Sequence, residues 1–305
     1  MSLSERPEFP QHIDSSIRGS FVSCARKFEL EYLHHYKPKI LSVHLHAGAA
    51  YAKGLEVTRR EFYQYGASQE DATVKGAKAL IEHYGDFECP DNSDKSLPNM
   101  VGALGEYVSH YGLKSDHVQP LMVAGKPAVE FSFALPIDVE HPKTGDPILY
   151  VGRCDMLGVH NAQNFIIDDK TTTRLGKTWF TQWVIRGQFT GYVWAARQFN
   201  YDIAGCIIRG LAIHKHDYSH AESIQYRQDW EVARWYKQLC RDVERMKVNW
   251  REGYFDYDLD SSCSTYGACT FLEVCSSAQP ERWLEQDFEK RVWDPINVQE
   301  IELDK

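Results

Sequence analysis

The chain has 305 residues, 43% of them hydrophobic and 13% aromatic, so it can bury a core and is neither disordered nor fibrous. Its formal net charge of −9 excludes a uniformly basic nucleic-acid-binding protein. The N-terminal residues show no leader pattern, and no segment reaches the roughly 20 apolar residues of a membrane helix. We therefore expect a soluble, cytoplasmic protein that does not bind membranes.

Helices are predicted throughout the first part of the chain. Apolar residues at helical spacing predict a helix over residues 15–36, which Pro38 stops. Similar patterns predict helices over 47–66, about 70–84 and 99–112. The chain therefore begins as a helical region.

The pattern changes at residue 127 to short segments rich in β-branched and aromatic residues. Three of these segments, separated by turn residues, predict an antiparallel meander. A helix with buried tryptophans is predicted over about 177–199, followed by a strand around 204–214 and a final long helix containing Trp235 and Trp250.

This order of elements predicts an α/β (mixed) fold, in which helices flank a small mixed sheet. We expect a single domain over residues 1–305. Its parts would be a helical N-terminal part (1–126), a core (127–215) and a C-terminal helix with a Cys-rich segment (216–305).

Two acidic positions and a lysine follow the meander strands closely. We expect Asp155 at the end of its strand, brought opposite Asp168 by a twisted or bulged hairpin. Side chains of residues i and i+2 share a face of a strand, so Asp168 and Lys170 project together while Asp169 points away. Two carboxylates can hold Mg²⁺, and a nearby lysine can orient a water or stabilise charge on a phosphate.

With Gln188 and Tyr192 one helical turn apart on the next helix, this pattern resembles the RecB-type branch of the PD-(D/E)XK nuclease superfamily. The resemblance covers most of the chain and implies the restriction-endonuclease-like core of that family. It implies that Asp155 and Asp168 bind Mg²⁺ or Mn²⁺, and that Lys170 assists the attacking water.

The same resemblance implies further site residues. Gln188 and Tyr192 would support the site or touch DNA, and the main-chain carbonyl of Asp169 would be another metal ligand. Glu130 matches an acidic position on the first strand of the family. One position departs from the family, because Tyr51 stands where an early helix commonly supplies a histidine ligand. A phenol is a poor ligand for Mg²⁺, so metal binding is expected to be weaker.

Cysteines are concentrated near the C-terminus. Cys263, Cys269 and Cys275 are separated by equal gaps, and in a reducing compartment such thiols favour metal binding over disulfides. Cys24, expected on the apolar face of the first helix, would supply a fourth ligand. The pattern is similar to that of family members in which four cysteines hold a [4Fe–4S] cluster. Zn²⁺ is the alternative occupant, and Cys24 is alternatively a small buried hydrophobic residue.

The local charge favours DNA as a partner despite the acidic total. Residues 170–215 contain seven Lys and Arg but only one acidic residue, and Arg174 and Lys177 are candidate phosphate contacts. The resemblance implies a deoxyribonuclease, in particular an exonuclease of recombination, repair or phage DNA processing, with a recombination or replication protein as a candidate partner. One alternative is a DNA-binding or partner-binding protein that keeps the fold without catalysis, and another is an RNA-directed or strand-specific nuclease.

Overall fold

The structure is a computed structural model, and it describes residues 6–215, 217–259, 262–264 and 268–296. Residues 1–5 of the expected N-terminal part lie outside the described residues, as do 216, 260–261, 265–267 and 297–305 of the expected C-terminal part.

The order of helices and strands along the chain is largely the expected one. The helices are α1 (Ser15–Ser23), α2 (Ala25–Phe28), a π-helical turn (Glu29–Leu33), α3 (Val43–Tyr63), α4 (Gln69–Tyr84), α5 (Leu97–Tyr111), α6 (Lys177–Thr181), α7 (Gly187–Gln198), α8 (Asp229–Glu252), α9 (Leu272–Ser276) and α10 (Pro280–Asp287). The strands are β1 (His12–Ile13), β2 (Tyr36–Pro38), β3 (Gln119–Pro120), β4 (Met122–Val123), β5 (Lys126–Pro127), β6 (Val129–Glu140), β7 (Pro147–His160), β8 (Gln163–Thr172), β9 (Ile203–Ile213), β10 (Tyr218–Tyr226) and β11 (Phe288–Lys290).

The chain divides into two compact units. The terminal unit comprises Met1–Ile40, Ser132–Gly152 and Ala233–Lys305, and the sheet unit comprises Leu41–Phe131 and Arg153–Val232. The single domain expected from the sequence stays a prediction.

The sheet unit contains a mixed sheet with strand order β7, β8, β9, β10. Strand β8 runs antiparallel to β7 and parallel to β9, and β10 returns antiparallel to β9. Because a parallel pair needs a crossover connection, α6 and α7 lie between β8 and β9 in the chain. This confirms the predicted mixed α/β fold with helices flanking a mixed sheet.

The hairpin of β7 and β8 fixes the register that matters for the site. Its turn consists of Asn161 and Ala162, whose positive φ values of 48° and 59° are those of a type I′ turn. Pairing runs from His160 opposite Gln163 to Met156 opposite Ile167. The expectation that Asp155 ends its strand is wrong, because β7 continues to His160.

Three helices form one core of the sheet unit. Buried side chains of α3, α4 and α5 pack together with Leu211 and Ile213 of β9. Helices α3 and α4 approach closely, since a Cβ at Gly76 would lie 1.9 Å from the Thr58 hydroxyl and 2.5 Å from the Gly54 carbonyl. This close approach holds α3, which carries several charged residues of the site described below.

The helix predicted over residues 177–199 is interrupted between α6 and α7. The carbonyl of Trp183, which lies in the interruption, accepts a hydrogen bond from Arg227 Nη2 (2.8 Å). A residue distant in sequence therefore satisfies this carbonyl. The expectation that Trp179, Trp183 and Trp194 belong to the core is confirmed, because all three are buried.

The first predicted helix, in the terminal unit, is also interrupted. Cys24 has extended backbone angles between α1 and α2, so the expectation that it lies on a helix face is wrong. Nearby, the backbone N–H of Arg26 donates to the Asp256 carbonyl at 3.0 Å, which ties the start of α2 to another segment of the unit. A small core of this unit joins Leu30 to Phe271, Val274, Leu284 and Phe288.

In the described part of the chain, no helix combines the length and the apolar character needed to cross a membrane.

Candidate active site

The hairpin register places two carboxylates side by side. The pairing of β7 and β8 runs as far as Met156 opposite Ile167, and Asp155 and Asp168 are the next residues of the two strands. The backbone N–H of Asp169 donates to Asp155 Oδ2 at 2.7 Å, which holds the Asp155 carboxylate against β8. The structure therefore brings together the two acids that the sequence selected, at the point where the pairing of the hairpin ends.

Lys170 projects from the same face of β8 as Asp168. Its ammonium group forms an ion pair with Asp168 Oδ1. Burial lowers the pKa of Lys170, but the attraction of Asp168 and Asp155 is larger in sum, so the pKa is raised above its usual value. Lys170 is therefore a cation held against the acids rather than a general base.

The carboxylates are costly to ionise in the protein without a metal. Burial, followed by repulsion from Asp168 and Asp169, raises the pKa of Asp155 to about 7. Burial also raises the pKa of Asp168, although Lys170 acts in the opposite direction. Such values indicate carboxylates whose negative charge is not fully balanced.

Glu130 adds a third acid at the start of β6. Burial and then Asp155 raise its pKa well above the usual value, although Arg153 lies 2.9 Å from its carboxylate and opposes the shift. Its φ of 59° is a left-handed conformation that costs a glutamate free energy. Strained residues cluster at functional sites, which agrees with the expectation that Glu130 belongs here.

Glu56 of α3 is a further acid near Glu130, and the sequence analysis gave it no role. It is buried, lies 2.7 Å from Arg60 Nη2, and is one of the acids whose charge raises the pKa of Glu130. Its ion pairs with Lys53 and Arg60 lie on the same helix, and charged residues at this spacing are common on exposed helix faces, so the sequence pattern alone does not single it out.

Tyr51 does not take the place of a metal ligand. It is buried in the core of the three helices, where its ring packs edge-on against Tyr107. The Tyr51 hydroxyl has no hydrogen-bond partner among the described residues, and burial raises its pKa well above the usual value. A phenol that stays protonated in an apolar core is a packing residue.

Asp169 points to the opposite face of β8, as strand alternation predicts. Its carboxylate forms an ion pair with Arg59 Nη1 at 2.7 Å, without a well-aligned hydrogen bond from the described residues. The side chain is therefore committed to Arg59, so only the main-chain carbonyl of Asp169 remains a candidate for the site.

Gln188 and Tyr192 lie one turn apart on α7, as predicted. Gln188 Nε2 donates to the Tyr192 hydroxyl at 2.9 Å, so the two side chains form one unit.

Arg174 and Lys177 are exposed in and after the loop that follows β8. Their positions suit contacts with a substrate backbone.

The donors of this site fit a hard divalent cation. Among the described residues, no three His, Cys, Asp or Glu side chains form a ready-made metal site. However, Asp155 and Asp168 are oxygen donors on adjacent strands, and burial, which raises the pKa of both, makes their ionisation costly in a way that a bound cation would offset. We therefore regard Asp155 and Asp168 as the residues able to hold Mg²⁺ or Mn²⁺.

The four cysteines of the predicted cluster site lie together in the terminal unit. Cys24, Cys263, Cys269 and Cys275 line one cavity of about 620 Å³. Burial and then the neighbouring Cys269 and Cys24 raise the pKa of Cys263. The pKa of Cys275 is raised to about 11 by burial and by the other three thiols, against the effect of Arg26. Cys24 is only partly buried, which disfavours its interpretation as a buried hydrophobic residue.

Comparison with known proteins agrees with this geometry. Residues 18–276 match the family model of the PD-(D/E)XK nuclease superfamily, so the chain belongs to this superfamily, whose nucleases hydrolyse nucleic acids. Among curated proteins, no sequence match to the chain is found.

Two solved structures resemble the chain. One is a protein from Eubacterium rectale whose name proposes exonuclease activity, with 12% identity, a TM-score of 0.45, and coverage of 83% of this chain and 86% of that chain. The other is a protein named SSO0001, with 12% identity, a TM-score of 0.29, and coverage of 66% of this chain and 73% of that chain.

Proposed function

We propose that the protein is a metal-dependent deoxyribonuclease that acts as an exonuclease in DNA recombination, repair or phage DNA processing. The observation that carries the proposal is the position of Asp155 and Asp168 where the pairing of β7 and β8 ends, with Lys170 on the same face of β8 as Asp168. Membership of the nuclease superfamily makes phosphodiester hydrolysis the reaction this arrangement serves.

Each residue has a distinct role in this proposal. Asp155, Asp168 and the main-chain carbonyl of Asp169 would hold Mg²⁺ or Mn²⁺, with Glu130 as a further acid. The bound cation lowers the pKa of water and withdraws electron density from a phosphoryl oxygen. Lys170 orients the attacking water and stabilises negative charge as it develops on the phosphate.

The roles of other side chains follow from their positions. Arg153 opposes the negative charge of Glu130, to which Glu56 adds a second negative charge. The hydrogen-bonded Gln188 and Tyr192 form a polar pair on α7 that would support the site or contact DNA.

A cleavage assay tests the proposal. Purified protein is incubated with Mn²⁺ and either end-labelled linear DNA or internally labelled circular DNA, single- or double-stranded. We expect release of nucleotides from linear DNA, no cutting of circles, and a loss of at least about 100-fold in rate for Lys170→Ala, the lower end of the effect of removing a group that stabilises transition-state charge. Lys78→Ala, which changes an exposed lysine of α4, is the matched control and should keep the wild-type rate.

The outcomes separate the parts of the proposal. Full activity of Lys170→Ala would remove this site from the reaction. Cleavage of circular DNA would support nuclease activity but contradict the proposal that the protein is an exonuclease. Tight DNA binding without any cleavage in Mn²⁺ would favour the alternative of a binding protein on the nuclease fold.

We also propose that Cys24, Cys263, Cys269 and Cys275 hold a [4Fe–4S] cluster, supported by their shared cavity and mutual electrostatic effects. Protein purified without oxygen should contain about four iron atoms per chain and absorb visible light. Cys269→Ser should lose the iron, whereas Cys89→Ser, a cysteine of the sheet unit, should keep it. Stoichiometric zinc without iron would identify a Zn²⁺ site instead.

A further inference from the structure

The segment after β8 presents exposed apolar and basic side chains together. Phe180, Val184 and Ile185 are 40%, 49% and 76% exposed. Arg174, Lys177 and Arg186 are exposed in the same segment, and none forms an ion pair with an acid of the described residues. These six residues are called the ridge below.

The ridge also has an unusual charge environment in the sequence. No Asp or Glu occurs between Asp169 and Asp202, although acidic residues outnumber basic ones in the whole chain. A single exposed apolar residue needs no explanation. Three of them within six residues, next to three cations without acidic partners, indicate a surface for a ligand that is both anionic and apolar.

The ridge is held rigidly by buried aromatic residues. Trp179 packs on Gly210, where a Cβ would lie 2.3 Å from the indole ring. Trp179 contacts Trp183 edge-on at 5.6 Å, and Trp183 contacts Phe189 at the same distance. Arg227 also donates a hydrogen bond to the Trp183 carbonyl, so the segment between Trp179 and Trp183 is fixed at both ends. The apolar side chains are therefore displayed by a packed support.

This support places the ridge beside the candidate active site. Gly210 is the partner of Lys170 in the parallel pairing of β8 and β9. Neighbouring strands are about 4.8 Å apart, and paired residues face the same side of a sheet. Trp179 therefore packs one strand away from Lys170 on the face that carries Lys170, and Phe180 follows it directly.

We propose that the ridge binds an unpaired nucleic-acid strand and leads it to Lys170, an inference that rests on the proposed nuclease function. The cations match the phosphates, and the apolar side chains match exposed base faces. In a duplex the base faces are stacked inside the helix, so Phe180 and Ile185 would find no partner there. An unpaired strand is the nucleic acid that uses both halves of the ridge.

Fluorescence anisotropy in EDTA, where metal-dependent cleavage cannot occur, tests this proposal. The probes are a fluorescein-labelled thymidine 20-mer and a blunt 20-base-pair duplex. We expect wild-type protein to prefer the single strand, and Phe180→Ser/Ile185→Ser to bind it at least about 10-fold more weakly while duplex affinity changes less than about twofold. Ile81→Ser, at an exposed position of α4, is the matched control and should bind like wild type.

A second measurement covers the cations. Lys177→Gln and Arg186→Gln should each reduce the salt dependence of single-strand binding by about one phosphate contact. Far-ultraviolet circular dichroism of every variant checks the fold, and the single variants Phe180→Ser and Ile185→Ser replace the double variant if it unfolds.

Three results would overturn the ridge: unchanged single-strand binding in the variants, an equal loss for both probes, or a wild-type preference for duplex. Wild-type cleavage in Mn²⁺, measured in parallel, separates the two proposals. If the wild-type protein cleaves DNA and the ridge variants bind the single strand like wild type, only the proposal about the ridge is rejected. If the wild-type protein does not cleave DNA but the ridge variants bind the single strand more weakly, only the proposed nuclease function is rejected.

Discussion

The two faces of β8 differ in how their buried acids are paired. On one face, Asp168 lies beside Asp155, and both have raised pKa values. On the other face, Asp169 forms an ion pair with Arg59, and the pKa of Arg59 is raised well above its usual value because Asp169 and Tyr107 outweigh burial.

The second face continues into a network of matched charges. Arg209, the partner of Asp169 on β9, is 1% exposed and donates to both oxygens of Asp116 at 2.6 Å. Its Nε donates to Glu222 at 2.7 Å, and Tyr107 links it to Arg59. Each buried cation therefore has an anion with directed hydrogen bonds or an ion pair.

The difference separates a structural face from a candidate catalytic one. Buried charges are tolerated when they are paired, which is the condition that the Arg59 and Arg209 side meets. On the other side Asp168 is paired with Lys170, but the partly buried Asp155 has no ion pair among the described residues, a state that a compact fold avoids unless a ligand supplies positive charge. Variants of the two faces should therefore fail in different ways.

The largest expected effect on stability is at Arg209. Arg209→Met leaves Asp116 and Glu222 without their buried cation, so we expect a loss of about 3–5 kcal/mol in the free energy of unfolding, measured with urea. Arg241→Met, at an exposed position of α8, should change it by less than about 0.5 kcal/mol. Equal effects at the two positions would contradict the paired role of Arg209.

The sequence predicted one face of β8 better than the other. Alternation along a strand was enough to place Asp168 and Lys170 together and Asp169 apart. The partners of Asp169 and Arg209 had no local signal, because Asp116 and Arg209 are 93 residues apart in the chain. Contacts of this kind depend on how helices and strands pack, which periodicity does not encode.

Similar long-range contacts explain the errors in the elements. The tryptophan spacing of residues 177–199 continues through the break, while Arg227 takes the Trp183 carbonyl. Strand β10 was missed because its sequence, YSHAESIQY, is polar and mostly half-buried or exposed, as expected for a strand with one paired neighbour in the order of the sheet.

A smaller effect is expected from the pair of Arg59 and Asp169. Arg59→Met leaves Asp169 as an unpaired buried charge and should cost about 3 kcal/mol. Adding Asp169→Asn removes that charge, so the double variant should recover about 1–3 kcal/mol relative to the sum of the single changes. Strict additivity in urea unfolding would show that the 2.7 Å ion pair makes no net contribution.

The opposite face should respond to metal. Mn²⁺ at 100 times its dissociation constant should raise the free energy of unfolding by about 2.7 kcal/mol. Asp155→Asn should abolish this increase without destabilising the metal-free protein, because it removes a carboxylate whose burial and acidic neighbours disfavour its charge. Arg209→Met should keep the increase. Loss of the metal effect in both variants would contradict the separation of the two faces.

The smallest expected effect is at the turn that sets the register of both faces. Ala162 has a φ of 59°, a conformation that costs an alanine about 1 kcal/mol but is open to glycine. Ala162→Gly should therefore raise the free energy of unfolding by up to about 1 kcal/mol, reduced by the greater freedom of glycine in the unfolded chain.

The same variant tests whether the turn alone holds the acids in place. Because pairing continues from His160 and Gln163 towards Asp155 and Asp168, a relaxed turn should leave cleavage and Mn²⁺ stabilisation unchanged. Asn161→Gly, at the other residue of the turn, is the matched variant, and its gain should be smaller since asparagine tolerates positive φ better than alanine. A loss of cleavage in Ala162→Gly would mean that strain in the turn, and not strand pairing, positions Asp155 against Asp168.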